Sequence, residues 1–282
     1  MNGNKLTVGS LFAGIGGIDL GLERTGHFET IWFSEIDTYA SKVLAKHWPN
    51  VPNYGDIKAI DYGSVTRPDI ITGGYPCQPF STAGKRAGEN DPRHLWPECL
   101  RAIRQLRPRY ALLENVRGHL SLGFSQVLTD LASIGFDAEW QVIPAAALGA
   151  PHKRDRLFIV AYPEGYGQWR GHSTDTGTLQ EWAEIQLQTG RSSGIMAHPE
   201  GSNGRRKESH GLQQSERKAA KLGKPSSGTR PQHDWWEIEP SVGRVANGVS
   251  SRVDRLRCLG NAVVPQVAEL LGNLIWDHSQ NA

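Results

Sequence analysis

The first stretch of the chain constrains the fold most. Leu6 to Phe12 is a short apolar run that reads as a buried strand, Ala13-Gly14-Ile15-Gly16-Gly17 is a turn crowded with glycine, and a helical pattern then runs to Gly26, a natural stop. A strand, a glycine-rich turn and a helix form the first unit of a ligand-binding α/β fold, because residues without a Cβ let a ligand lie against the backbone. The strict dinucleotide pattern needs a third glycine where this chain has Asp19. That argues against a pyrophosphate clamp and leaves room for an adenosyl ligand without phosphates.

Two acids follow in a telling order. Glu29 to Glu35 reads as a second strand ending in a carboxylate, about twenty residues after the glycine turn, where such folds bond a ribose hydroxyl. After a helix from about Thr38 to His47, Tyr54-Gly55-Asp56-Ile57 puts another acid on a loop, suited to an adenine amino group. Each acid alone is more often a helix cap or a solvated loop residue. Their order after a glycine turn favours the ligand.

Asp69 to Thr72 is a further buried strand, and Gly73-Gly74-Tyr75-Pro76-Cys77-Gln78-Pro79-Phe80-Ser81 follows it. A lone cysteine is as a rule a small buried hydrophobe. Here the paired glycines, the stiffening proline and the polar Gln78 and Ser81 make a nucleophile an equal reading, at the strand end where α/β sheets gather ligands. Thr82 to Arg93, with Lys85, Arg86 and Arg93, has the length and polarity of a mobile lid. A helix is expected from about Leu95 to Leu106, then a strand from Tyr110 that delivers Glu114-Asn115-Val116 to the same row as Cys77. Glu114 is there a partly desolvated acid or a salt-bridged cap. After a helix around Phe124 to Ile134, strands are expected at Glu139 to Ile143 and Arg156 to Ala161. Arg154 and Arg156, two apart on an extended segment, face one site together or belong to a solvated basic loop.

From Glu164 to His233 apolar periodicity disappears. Between Gly201 and Arg230 eight basic residues, among them Arg205, Arg206 and Lys207, face two acidic ones, Glu208 and Glu216. The stretch is either a solvated insertion or a basic surface for phosphates. Order returns at Trp235-Trp236, and Gly260-Asn261 reads as a tight entry to a last helix reaching about Trp276, which would return the C-terminus to the large domain.

A chain of 282 residues holds one large domain, or a large and a small one. No apolar run is long enough to span a membrane and Met1 to Lys5 is unlike a signal peptide, so an intracellular protein is expected. Three widely spaced cysteines, Cys77, Cys99 and Cys258, argue against a disulfide framework and a structural zinc site. A net charge of +2 does not by itself imply nucleic acid.

Taken together, Phe12-x-Gly14-x-Gly16-Gly17, Pro76-Cys77-Gln78, Glu114-Asn115-Val116, Arg154-x-Arg156 and Gly260-Asn261-x-Val263 resemble the ordered motifs of the DNA cytosine-5 methyltransferases. The resemblance implies a Rossmann-like α/β sheet typical of S-adenosylmethionine-dependent methyltransferases, with a small, irregular target-recognition domain. Residues 1–163 would be the catalytic and cofactor-binding domain, 164–245 the recognition domain, and 246–282 a segment returning to the large domain. It implies that Cys77 adds to C6 of a flipped-out cytosine, that Glu114 donates a proton to N3, and that Arg156 or Arg154 holds O2. Phe12, Gly14, Gly16 and Gly17 would line the S-adenosylmethionine pocket, Glu35 would bond the ribose, and Asp56 and Ile57 would meet the adenine. Gly74, Pro76, Leu95, Asn261 and Val263 would complete the pocket. Duplex DNA would be met by Ser81, Lys85, Arg86, Arg205, Arg206 and Lys207. No metal and no membrane are expected, and a monomer in the cytoplasm of a bacterial or phage-infected cell is the default.

Two departures stand out. His152 occupies a position where the family usually has glutamine, and the arginine motif ahead of the last one has only Arg244 or Arg252 as stand-ins. A transfer-RNA substrate and a non-catalytic nucleic-acid clamp are the competing readings.

Overall fold

The computed structural model describes residues 5–76, 95–166 and 251–281. Cys77, Ser81, Lys85 and Arg86, the expected lid, Arg205, Arg206, Lys207, Arg244 and the whole 164–245 division apart from its first three residues lie outside the described residues.

Within them one six-stranded sheet is built from β1 (Leu6–Leu11), β2 (Phe28–Ser34), β3 (Ile70–Gly73), β4 (Tyr110–Val116), β5 (Phe136–Pro144) and β6 (Asp155–Pro163), ordered β2-β1-β3-β4-β6-β5. The first four strands are parallel, and β6 runs antiparallel to both β4 and β5. The ends of β1, β2, β3 and β4 therefore gather on one edge of the sheet. The start of β6 joins them, since Val116 is paired with Arg156.

Both faces of these strands are covered, which is why they read as apolar runs rather than as alternating patterns. Ile70, Leu112 and Phe158 point to one side, where they meet Leu22 of α1 (Gly17–Arg24) and Leu271 and Ile275 of α6 (Pro265–Asn281). Ile71, Leu113 and Ile159 point to the other and meet Ile103 of α3 (Trp96–Leu106) and Leu131 of α4 (Phe124–Ser133). The helix α2 (Thr38–His47) starts at Asp37, whose carboxylate accepts from the backbone N–H groups of Tyr39 and Ala40 at 2.9 Å.

Glycine fixes how the C-terminal segment returns. A Cβ on Gly17 would lie 2.6 Å from the Val263 carbonyl oxygen, and one on Gly21 would lie 2.2 Å from that of Pro265. Only a bare helix face lets the connector Ala262 to Val264 lie this close to α1. By length and composition Val253–Asn281 would suffice to cross a membrane. It is broken at this connector, however, and α6 buries Val267, Ala268, Leu271 and Leu274 in the core.

Here the sequence reading needs correction. Gly260 and Asn261 do not open the last helix but close a helix of their own, α5 (Arg252–Asn261), and α6 then runs on to Asn281. The polar sequence of α5, Arg-Val-Asp-Arg-Leu-Arg, has no broad apolar stripe to announce it. β5 and β6 also extend further than their apolar centres, to Phe136 and to Pro163.

Candidate active site

The glycine turn folds back onto the end of β2. Phe12 and Gly14 both take positive φ, 51° and 57°. This turn aims the Gly14 N–H at Glu35 Oε2, 2.7 Å away, while Glu35 Oε1 accepts from the Asp37 N–H at 2.7 Å. The carboxylate is thus held rigid by backbone donors, and its remaining lone pairs are left for hydroxyl donors.

Two adjoining cavities open there, of about 400 Å³ and about 310 Å³. Phe12, Glu35, Ile36, Pro76 and Leu95 border both. Gly14, Gly17, Gly74, Asn261 and Val263 border the larger one, and Asp56 and Ile57 the smaller. The expected cofactor residues thus come together from six separate parts of the chain, with one exception. Gly16 borders neither cavity; a Cβ there would lie 2.6 Å from the Trp48 ring, so its role is to pack α1 against the end of α2. Asp56 also caps a short turn, its Oδ1 accepting from the Lys58 N–H at 3.0 Å. The joined space is of the size that holds a nucleoside-containing ligand, roughly 300–1,000 Å³. Its donor set, acids beside an apolar cleft, suits an adenosyl group.

Glu114 borders the larger cavity and is only 8% exposed. Pairing explains its partner: Glu114 lies opposite Phe158, so Arg156, two residues along β6, reaches it diagonally on the same face. Arg156 Nε is 2.9 Å from Glu114 Oε1. Burial pushes the Glu114 carboxyl up from 4.5 to about 7, against the charges of Arg156 and Arg154 and the Arg156 hydrogen bond, which pull it down. Gly74 abuts the other carboxylate oxygen, since a Cβ there would come within 3.1 Å of Oε2. A carboxyl raised into the neutral range therefore stands beside the backbone that reaches Cys77 three residues later.

Arg154 does not continue the strand pattern. Its φ of 39° turns the chain just before β6, and its guanidinium donates to the carbonyls of Gly260, at 2.8 Å, and Ala262. It therefore holds the C-terminal connector over the cavity while its charge still acts on Glu114. The other two cysteines contrast with a nucleophile: burial pushes Cys99 up to about 12, and also raises Cys258. Among the described residues no cluster of three metal-ligating side chains occurs.

The sequence reading missed several cavity residues. Ile36 is exposed beside Glu35, and Arg257 of α5 bonds the Asp37 cap at 2.5 Å across the cavity mouth. Asp19, read only as a missing glycine, is fully buried; Ser10 Oγ donates to its Oδ2 at 3.0 Å, and Thr72 Oγ1 donates to Ser10 at 3.1 Å. Burial raises its carboxyl from 3.8 to about 7, against the Ser10 hydrogen bond. The folded chain thus keeps a proton here that the unfolded chain loses near 3.8, so stability falls as pH rises from about 4 to about 7. Asp19→Asn is expected to remove that loss: its melting temperature relative to wild type should rise between pH 5 and pH 8. Equal offsets at both pH values would sink the assignment.

These features define a class: an α/β chain with an adenosyl-sized cleft and a buried acid–arginine pair at the strand ends. Residues 6–238 match the family of C-5 cytosine-specific DNA methylases, and the chain belongs to that family. Among curated relatives, the Type II methyltransferase M.BsuFI of Bacillus subtilis is 36% identical over 170 residues, 58% of this chain and 41% of that protein. M.Bsp6I of Bacillus sp. (strain RFL6) is 38% identical over 164 residues, covering 56% and 52%. M.Eco47II of Escherichia coli is 39% identical over 170 residues, covering 57% and 40%. The chain thus spans about half the length of the curated relatives it matches. The crystal structure of an S. pombe Dnmt2 methyltransferase shares the fold, with a TM-score of 0.52 and 19% identity over 64% of this chain and 55% of the other. So does that of a Spodoptera frugiperda DNMT2 mutant, at 0.51 and 24%, over 61% and 54%.

Proposed function

We propose that this chain transfers a methyl group from S-adenosylmethionine to C5 of a flipped-out cytosine in duplex DNA. The observation that carries the reading is the buried Glu114, its carboxyl raised by burial to about 7, bonded to Arg156 and packed beside Gly74 on the wall of an adenosyl-sized cavity. S-adenosylmethionine, when bound, supplies an electrophilic methyl group on a sulfonium. Phe12, Gly14, Gly17 and Leu95 would enclose it, Glu35 would take its ribose hydroxyls, and Asp56 and Ile57 would meet the adenine.

Cytosine C5 is too poor a nucleophile to take that methyl group unaided. The Cys77 thiolate adds to C6, forming a C–S bond, as Glu114 gives its proton to N3 and Arg156 holds O2. The electron pair released onto C5 would take the methyl group as the sulfur–methyl bond breaks, its electrons going to the sulfonium sulfur to leave a neutral thioether. Loss of the C5 proton to a base then lets the C–S bond break, returning the thiolate, and the N3 proton goes back to Glu114. One hard substitution becomes a series of easier steps. The base must leave the duplex stack to meet these groups, at a cost of a few kcal/mol.

Residues 1–163 and 246–282 would form the catalytic domain and 164–245 the recognition domain. Ser81, Lys85, Arg86, Arg205, Arg206 and Lys207 would contact DNA. Arg117 and Lys153 add exposed cations near Arg156, each 3.3 Å from the shared Asp155 carboxylate. A cytoplasmic monomer is the accompanying expectation.

The test is incubation of the chain with methyl-labelled S-adenosylmethionine, duplex DNA and transfer RNA together. Label on cytosine C5 of the DNA is expected. Label on RNA alone would move the substrate to RNA, and cofactor binding without transfer to either would leave a non-catalytic clamp.

A further inference from the structure

Glu114 and the residue after it serve opposite faces of the sheet. Glu114 faces the cavity, whereas Asn115 points to the other side, where its Nδ2 donates to the Tyr75 carbonyl at 3.2 Å. Tyr75 is buried there, 4% exposed, and its hydroxyl shares a 2.9 Å hydrogen bond with Nε2 of His119, which is 3% exposed. His119 sits in the short helical turn Arg117–Ser121 that follows β4 directly. The Tyr75 ring also packs on Trp96 at 5.2 Å, and Trp96 is anchored by its Nε1, which donates to Asp130 at 2.7 Å.

One ring thus joins three places in the chain. It stands two residues before Cys77, it meets the first residue of α3 just past Leu95, and it is tied to the turn that ends the Glu114 strand. Apolar packing would hold a phenylalanine in the same volume. The hydrogen bond adds direction, because a buried tyrosine hydroxyl and a buried imidazole nitrogen each lose solvation unless they meet in one geometry. Moving the Tyr75 backbone moves Pro76 on the cavity wall and the point at which the chain enters Cys77.

We propose that the Tyr75–His119 hydrogen bond is a positioning contact that fixes the chain leading into Cys77 relative to Glu114. This rests on the methyltransferase reading above. Tyr75 and His119 touch neither cofactor nor base in this role; they set the distance and angle at which the nucleophile approaches C6. Misplacement of a reacting group by about 1 Å costs up to about a hundredfold in rate, and loosening one anchor of three should cost less.

The experiment measures single-turnover methyl transfer to duplex DNA and S-adenosylmethionine affinity for wild type, Tyr75→Phe, His119→Leu, His119→Gln and the double variant Tyr75→Phe/His119→Leu. Each single removal is expected to slow transfer by about tenfold, with cofactor affinity within about twofold of wild type. The double variant should be no slower than either single one, because both remove the same contact. His119→Gln, whose side-chain amide can reach the tyrosine hydroxyl, should recover most of the rate. An unchanged rate in Tyr75→Phe, additive losses in the double variant, or no recovery with glutamine would overturn the proposal. If Tyr75→Phe melts below the assay temperature, His119→Gln decides: a near wild-type rate supports the contact and a slow one overturns it. A wild-type chain that transfers no methyl group would instead remove the underlying reading.

Discussion

Replacing Glu114 by glutamine is expected to cut methyl transfer by roughly 10²–10⁴-fold and to erase the alkaline limb of the pH–rate profile. The sign follows from the site. Burial lifts the carboxyl from 4.5 to about 7, and Arg156 and Arg154 hold it from rising further. The acid that must protonate N3 is thus loaded below about 7 and emptied above it. In wild type, kcat/KM should fall about tenfold per pH unit on the alkaline side. Glutamine keeps the shape and can still donate a hydrogen bond, but it has no proton to give and nothing to titrate, so its weak activity should be flat through this range. Arg156→Met provides a further check. Removing the nearest cation should move the alkaline limb upward, even as the loss of an O2 ligand lowers the rate. A limb that survives unchanged in Glu114→Gln would assign the titration to another group and remove Glu114 from the acid's role.

The legibility of this site in the sequence was uneven for physical reasons. Glycine positions, strand-end acids and Arg156 are local signals: each depends on a residue type at the end of a short apolar run, so Gly14, Glu35 and Glu114 could be placed before any coordinates. The backbone path at Arg154 was not legible, because alternation holds only within a strand and its positive φ lies one residue outside β6, which sends its guanidinium to the Gly260 and Ala262 carbonyls while its charge still acts on Glu114. α5 went unseen because a helix without an apolar stripe carries no periodicity. Asp19 was read against a motif it lacks, whereas its meaning lies in Ser10 and Thr72, brought to it by the pairing of β1 with β3. The Tyr75–His119 contact, spanning 44 positions, depends on β3 lying beside β4, which no local pattern encodes.

Duplex DNA carrying 5-fluorocytosine in its target should trap the chain as a denaturation-resistant adduct in the presence of S-adenosylmethionine. Fluorine at C5 cannot leave as a proton does, so after methyl transfer the elimination that breaks the C–S bond has no route. The enzyme then stalls with Cys77 bonded to C6. Cys77→Ala should form no adduct and transfer no methyl group, a complete loss that no rearrangement of acid or arginine can compensate. Cys99→Ala and Cys258→Ala should still be trapped, because burial holds both of those thiols in the protonated state, which is a poor nucleophile. Glu114→Gln separates the steps: it should form the adduct slowly, since the thiolate remains while N3 goes unprotonated. An adduct that persists in Cys77→Ala would place the nucleophile elsewhere. If wild type forms no adduct on varied duplexes while S-adenosylmethionine binding is intact, the reading turns to RNA, with fluorinated RNA the next probe for the same chemistry, and, if that too forms no adduct, to the non-catalytic clamp.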